Sequence, residues 1–384
     1  MNAVVIGTGM YPFGFHKEIS MEEMSYYSVK QAIKEASISP DDIDAVYFSN
    51  VLASRLFAKE TLGQHLAELN GVTGIPVINI ENACASGSTA IHEAVMAINS
   101  GKKEVVLVLG VEKITGSGLA MISTSEEDLE TRLGFAMPSL FALKANRYLY
   151  EHNFNAKELA KVSVKNYNHA FYNESAVFKN KKLSVDDVLN SPMIADPLTR
   201  LQCCPMPDGA ACVILANKDW VKKNRYTYKP VSVLASILVS GEYKNPPNLS
   251  FWDSDERAAT KAYNESNLEP KDIDLVEAHD AFTISEVMHY EGLGFCEKGD
   301  GIRLLADNDT TIGGKIPFNP SGGLLARGHA LGATGIAQTI EVVHQLQNRA
   351  FDRQIENAKI GMTHCMGGDK AGDARATSVQ IYQI

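Results

Sequence analysis

The segment Pro40-Asp-Asp-Ile-Asp44-Ala-Val-Tyr-Phe-Ser49 returns in kind as Pro270-Lys-Asp-Ile-Asp274-Leu-Val-Glu-Ala-His279. In each copy a proline and acidic residues set a turn, and an apolar run at strand spacing follows. A helical stretch precedes both copies, Ser20 to Ala36 in the first. A helix of small residues comes later in both: Asn82 to Gly101 after the first, and Gly332-Ala-Thr-Gly335 running to about Gln347 after the second. One short match would mean little. Three elements in the same order predict an internal duplication of an α/β unit, at a period much longer than that of solenoid repeats. A chain of 384 residues has room for two such units and more.

The pattern breaks between Ser117 and Pro207. Met121 to Thr131 is polar and acidic, Ser139 to Phe154 and Ala156 to Phe171 read as helices, and Phe178 to Leu183 carries Lys179, Lys181 and Lys182. This region reads as a lid-like insertion. Asp208 to Ala216 then reads as a tight turn and a buried strand rejoining the first half, and Val231 to Val239 as the first strand of the second. The expected division is a first half of residues 1–118 with 208–229, an inserted loop domain at 119–207, and a second half at 230–384. Further expectations are a helix over Ala58 to Leu69, buried strands at Ile75 to Ile80 and Glu104 to Gly110, and a surface loop from Gly241 to Phe251.

Several classes are excluded. A net charge of -10 lacks the basic surface that nucleic acid requires. The opening Met1 to Met10 runs straight into a strand pattern, unlike a signal peptide, and the longest apolar runs, such as Val105 to Val111, fall far short of a membrane span. Gly7-Thr-Gly9 is no dinucleotide fingerprint, because Pro12 occupies the third glycine position. The six cysteines, Cys84, Cys203, Cys204, Cys212, Cys296 and Cys365, show no regular spacing. Neither a disulfide framework nor a zinc site is expected, and a reducing cytoplasm is the simplest location.

Four places carry chemistry. Cys84 stands at the front edge of the Asn82 to Gly101 helix, where Ala83, Ala85, Ser86, Gly87 and Ser88 allow close approach and free amides favour a thiolate. Ile91, Val95 and Ile98 form the buried stripe of that helix, and Gly101 ends it. His279 lies at a strand end, where α/β folds gather functional groups. His329 sits in a loop with glycines at 322, 323, 328, 332 and 335, a placement that suits a general base. Cys365 opens onto Gly367 and Gly368, whose amides suit an oxyanion. Each residue alone is equally compatible with packing; together they supply a nucleophile, a base, a polariser and a second thiol.

On these residues the chain resembles the thiolases over essentially its full length, and most of all the sterol-carrier-protein type. The blocks that carry the resemblance are Asn82-Ala-Cys-Ala-Ser-Gly-Ser, Asn190-Ser-Pro-Met-Ile-Ala-Asp-Pro-Leu198, Cys204-Pro-Met-Pro-Asp-Gly-Ala-Ala211, His279-Asp-Ala-Phe, Gly328-His-Ala-Leu-Gly-Ala-Thr-Gly and Cys365-Met-Gly-Gly. The resemblance implies a duplicated α/β fold layered α/β/α/β/α with an inserted loop domain. It implies thiolytic cleavage of a 3-oxoacyl-CoA, or the reverse Claisen condensation. Cys84 would be the nucleophile, His329 its base and Cys365 the acid and base at the α-carbon. His279, where many thiolases have asparagine, would hold the thioester oxygen, and the amides of Cys84 and Gly367 would form the other oxyanion hole. CoA is then a co-substrate, with no tightly bound cofactor and no metal.

The resemblance further implies a homodimer or higher homo-oligomer, and some microbial chains of this type resemble subunits that work with a small partner built from a zinc ribbon and an OB fold. Two features depart from the common pattern: Asp369 replaces a third glycine, and His364 places an ionisable neighbour beside Cys365, which would tune that thiol or be incidental. Phe135, Met137, Phe141 and Phe171 fit either an acyl pocket or core packing. A decarboxylating ketoacyl synthase and a non-catalytic acyl-CoA or lipid-binding subunit are the competing readings, and Cys365 in the acid/base position opposes the first.

Overall fold

The computed structural model describes residues 1–118, 129–223, 226–244, 246–370 and 372–384. Most of the expected acidic stretch Met121 to Thr131 lies outside them. The described strands are β1 (Ala3–Gly14), β2 (Ala45–Ser49), β3 (Val77–Ile80), β4 (Val105–Glu112), β5 (Met193–Ala195), β6 (Leu198–Thr199), β7 (Asp208–Asn217), β8 (Val231–Val239), β9 (Leu275–Glu277), β10 (Ile360–Lys370) and β11 (Asp373–Gln383). Nine of them form one sheet in the order β3-β2-β4-β7-β1-β8-β11-β10-β9, and β5 with β6 make a separate hairpin. The sheet is two units meeting at β1 and β8, which share only the pairs Val4 with Ser232 and Val5 with Val231.

The repeated turn performs the same local task twice. Both Pro40–Asp42 and Pro270–Asp272 are single 3-10 turns. The Asp44 carboxylate then accepts the amides of Glu104 and Val105 at 2.7 and 3.0 Å, and the Asp274 carboxylate accepts those of Lys359 and Ile360 at 2.8 and 2.9 Å. Each aspartate thereby pins the start of the neighbouring parallel strand, β4 or β10. Even β3 has a vestigial counterpart, a single parallel bridge from Val276 to Phe318.

Two helices, Ser86–Asn99 and Leu331–Leu346, lie between the two units and are the central helices. Small residues let them touch backbone to backbone: a Cβ on Gly335 would stand 2.4 Å from the Ser88 nitrogen. Ile91, Val95 and Ile98 join Val106 and Val108 of β4, Val231 of β8, and Ile336 and Ile340 in one apolar layer. The opposite face of the first unit packs on the helix Met21–Ala36, whose Ser20 and Glu23 make a reciprocal capping box. The outer face of the second unit packs on Asp253–Ser266 and Thr283–Gly292. Helices and sheets therefore alternate as α/β/α/β/α.

Two local expectations change. The Ala58 to Leu69 helix is broken: Ala53–Phe57 and Leu62–Leu69 are helical, while Ala58 and Thr61 adopt positive φ. The Ile75 to Ile80 strand is shorter, Val77–Ile80, and it is an edge strand with Ile78 exposed, not a buried one. The inserted region packs into the second unit: Phe141 stacks on Phe282 at 4.3 Å, and Lys165 of the helix Ala156–Ala170 pairs with buried Glu286.

Candidate active site

Cys84 sits on a tight bend between β3 and the first central helix. Ala83 takes φ 47°, and the bend closes through Ala85 N–H to the Asn82 carbonyl and Ser86 N–H to the Ala83 carbonyl, each 3.1 Å. β10 runs directly against this bend, since a Cβ on Gly367 would stand 2.1 Å from the Asn82 oxygen. That approach brings Cys365 to the nucleophile. The Cys365 Sγ donates to the Cys84 carbonyl oxygen at 3.2 Å and lies 3.4 Å from His279 Nδ1.

His329 arrives from the other central helix on a loop fixed by buried charge. Asp280 accepts the amides of Leu324 and Leu325 at 2.6 and 3.2 Å, Arg327 Nη1 pairs with Glu277 at 3.1 Å, and His329 N–H donates to the Pro205 carbonyl at 3.1 Å. Gly328 adopts φ 110° against Val177 and Pro207, where a side chain has no room. The start of the following helix is held by Glu112 at the end of β4, which accepts the Gly332 amide at 3.0 Å. Burial pushes the Glu112 carboxyl up to about 7.

The structure thus gathers all four residues expected from sequence. One side-chain donor atom each from Cys84, His279 and His329 lies within 4.8 Å of the others, and the two histidine rings meet edge to face at 5.1 Å. The hydrogen bonds of His329 fix its tautomer. Thr334 Oγ1 donates to the Ala330 carbonyl at 3.0 Å and so receives the proton on His329 Nδ1 at 2.7 Å. His329 Nε2 is then an unprotonated nitrogen, buried and without a hydrogen-bond partner. Burial, with Arg327 nearby, holds its pKa down at about 3. A neutral acceptor facing a thiol is a ready base.

The resting nucleophile differs from expectation. Cys84 packs beside Leu52, Ile114 and Leu331. Burial and the Glu112 carboxylate push its thiol up to about 12, against the lowering effect of the Gly368 and Cys84 amides. The helix start is thus outweighed by burial, and the neutral His329 ring stands close enough to accept the thiol proton. Burial, followed by the proximity of Cys84, also pushes Cys365 well up, so it rests as a thiol. His279 is held neutral by burial first and by His329, His289 and His364 next.

The Gly368 amide favours a charged Cys84 sulfur, and Gly367 makes the close strand contact. His364 does not face Cys365; it turns to Asp255 on the opposite side of β10. Asp369 pairs with buried Lys144 at 3.4 Å. Phe141 is core, and Lys181 and Lys182 lie over the rings of Tyr167 and Phe171 at 5.6 and 4.7 Å. Thr334 lies in the Gly328 to Gly335 block, where sequence alone assigns it no role, and Glu112 carries no sequence signal.

A thiol at a helix start, a neutral histidine with a free acceptor nitrogen, a second thiol and a second histidine, gathered in one place, suit acyl transfer with carbon–carbon bond chemistry. The comparisons agree. Residues 3–219 match the family described as thiolase, N-terminal domain, and residues 242–379 match thiolase C-terminal domain-like. The acetyl-CoA acetyltransferase of Methanothermobacter thermautotrophicus is 42% identical over 96% of both chains. The benzoylsuccinyl-CoA thiolase subunit BbsB of Thauera aromatica is 37% identical over 95% of this chain and 94% of its own, and human sterol carrier protein 2 is 35% identical over 94% and 69%. Among solved structures, the Ltp2-ChsH2(DUF35) aldolase has the same fold, with a TM-score of 0.85 at 22% identity, covering 100% of this chain and 97% of that one. The chain belongs to the thiolase family. It is a CoA-dependent acyltransferase.

Proposed function

We propose that this thiolase cleaves a 3-oxoacyl-CoA with free CoA, or runs the same steps in reverse, through an acyl group carried on Cys84. The observation that carries this reading is the gathering of Cys84, His279 and His329 within 4.8 Å, with His329 Nε2 unpartnered and the Cys365 thiol bonded to the Cys84 carbonyl. His329 takes the Cys84 proton, and the thiolate attacks the β-ketone carbon. The oxygen that becomes negative is met by backbone amides at Cys84 and the Gly367–Gly368 pair. The bond between the α and β carbons then breaks, its electron pair moving onto the thioester oxygen held by His279. The enolate takes the Cys365 proton and leaves as acetyl-CoA or its homologue. In the second half, CoA gives its thiol proton to the Cys365 thiolate and attacks the acyl carbon. Cys84 leaves and recovers its proton from His329. The high resting pKa of Cys365 suits the acid role in cleavage.

The reading includes CoA as co-substrate and no resident cofactor or metal. It keeps the division into halves of 1–118 with 208–229 and 230–384, and an insertion at 119–207. Edge strand β3, with Ile78 exposed, supports pairing of two copies into a homodimer. Six unpaired cysteines accord with a reducing cytoplasm, and no helix among the described residues is long and apolar enough to cross a membrane. A second reading has one observation in its favour. A relative named as a subunit and a neighbour solved together with a DUF35 protein support dependence on a small partner for a bulky acyl-CoA.

The test is thiolysis by the purified protein and by Cys84→Ala across a panel of 3-oxoacyl-CoAs. Activity that vanishes in the variant supports the acyl-Cys84 route and ranks acyl groups. A folded wild type that turns over nothing alone, but acts once a DUF35-type partner is added, supports the second reading.

A further inference from the structure

On the face of β10 turned away from Cys84, three buried side chains meet. Asp255 of the helix Asp253–Ser266 lies 2.6 Å through Oδ2 from His289 Nδ1 and 3.1 Å through Oδ1 from His364 Nε2. The far edges of both rings return to one residue. His289 Nε2 is 3.0 Å from the carbonyl oxygen of His279, and His364 Nδ1 accepts the His279 N–H at 3.5 Å. The peptide groups on both sides of His279 are thus held by one carboxylate acting through two imidazoles.

Proton counting defines the charges. Burial alone would raise Asp255, but the two adjoining rings hold it far below the usual carboxylate range, so it is ionised. His289 faces an acceptor at each nitrogen, the carboxylate and the His279 carbonyl, and satisfying both requires a proton on each. His364 instead faces one donor and one acceptor, which suits the neutral ring that burial favours. The packing leaves little freedom to rearrange: a Cβ on Gly292 would stand 2.7 Å from the Asp255 Cβ, Trp252 stacks on His289 at 5.0 Å, and Lys144 Nζ lies 4.8 Å above Trp252.

We propose that Asp255, His289 and His364 form a buried ion-pair clamp that positions His279, aiming its ring at the thioester oxygen, a role that rests on the thiolase reading of the site. These are positioning residues, since they reach the substrate only through His279. A ring aimed at the enolate oxygen needs its backbone fixed to a few tenths of an ångström, because misplacement of about 1 Å costs roughly 100-fold in rate.

The test separates the enolate step from the nucleophile. In deuterium oxide, the Cys365 thiol gives its proton to solvent, and the resulting thiolate removes an acetyl-CoA methyl proton while the electron pair rests on the oxygen held by His279. The thiol so formed exchanges with solvent and returns a deuteron to carbon. Asp255→Asn is expected to slow this exchange roughly 100-fold, lowering kcat with KM little changed, while iodoacetamide labels Cys84 at the wild-type rate. His364→Gln provides a second variant should the first not fold. A folded variant with wild-type exchange overturns the clamp. So does parallel loss of exchange and labelling selectivity, which marks a merely structural role. Nitrogen NMR of the wild type gives a readout independent of turnover: His289 protonated at both nitrogens supports the clamp, and a neutral His289 overturns it. Wild type that neither exchanges acetyl protons nor acylates Cys84 refutes the thiolase reading, while the NMR result still tests the clamp.

Discussion

The two halves share a backbone plan and diverge where their strands end. Asp44 and Asp274 give a common origin. Five residues beyond them stand Ser49 in the first half and His279 in the second. The strands those aspartates pin begin with Val105 and Ile360, and five residues further along are Gly110 and Cys365. In the first half both positions are filled by the neighbouring helix: Ser49 Oγ donates to the Gly332 carbonyl at 2.7 Å, and a Cβ on Gly110 would stand 2.3 Å from that same oxygen. In the second half the equivalent positions carry His279 and Cys365, gathered at Cys84 and proposed above as polariser and acid/base thiol. Duplication supplied the scaffold, and the chemistry lies where one copy keeps small contacts and the other keeps side chains that exchange protons.

The comparison is sharpened most by separating the two cysteines. Cys84→Ala is expected to abolish both acylation and thiolysis, a loss of roughly 10⁴-fold or more. Cys365→Ala should lose carbon–carbon cleavage to a similar degree while its Cys84 still reacts with iodoacetamide. If Cys365→Ala also silenced Cys84 toward alkylation, the division of labour between the halves would collapse. Alkylation rates also report the resting thiol. With Cys84 pushed up to about 12 and His329 down at about 3, the thiolate fraction rises about tenfold per pH unit through the range from 7 to 10. A plateau near neutrality would mean a preformed thiolate–imidazolium pair.

Next in size is the tautomer control on His329. Thr334→Val removes the acceptor for Nδ1–H, leaving the ring free to place its proton toward Cys84. A loss of about 10- to 100-fold in kcat/KM is expected, with recovery in Thr334→Ser. Equal losses in the valine and serine variants would show that the methyl packing, and not the hydroxyl, is what matters.

Much of this site was legible from residue type and spacing. The small residues around Cys84, the glycine loop around His329 and the paired Pro-x-Asp-Ile-Asp turns each answer to a local steric or hydrogen-bonding demand, and local demands leave marks in sequence. Contacts between distant segments leave none. Asp255 meets His364 across 109 positions, so the direction in which His364 points is a property of tertiary packing. The raised pKa of Cys84 likewise follows from Leu52, Ile114, Leu331 and Glu112 closing around it, which outweighs the helix amides visible in its neighbours. The exposure of β3 depends on its place at the sheet edge, a matter of strand order that its own β-branched residues do not encode.

Gly110→Ala tests the small-contact half of the comparison. Its new methyl group has no space against the Gly332 carbonyl, and overpacking of this kind costs about 1–3 kcal/mol. The mirror-related Cys365→Ala shrinks a side chain and should retain a cooperative unfolding transition. If Gly110→Ala melted no lower than Cys365→Ala, the first half would have room to accept a side chain at this position. Its glycine would then not be a requirement of the helix contact.

The smallest expected effect tests the common origin itself. Asp44→Ala and Asp274→Ala each leave two strand-initiating amides without their carboxylate, and both sites are partly open to water, which replaces some of what is lost. A cost of about 1 kcal/mol each is expected, comparable to the loss of a helix cap. The two should be nearly additive in the double variant, because they act on separate strands. Matching losses in thermal unfolding, with kcat/KM unchanged, would establish that the repeated turn is a structural device preserved in both halves. A much larger loss for Asp274→Ala would show that β10, which bears Cys365 against the Cys84 bend, is held under tension that β4 does not share.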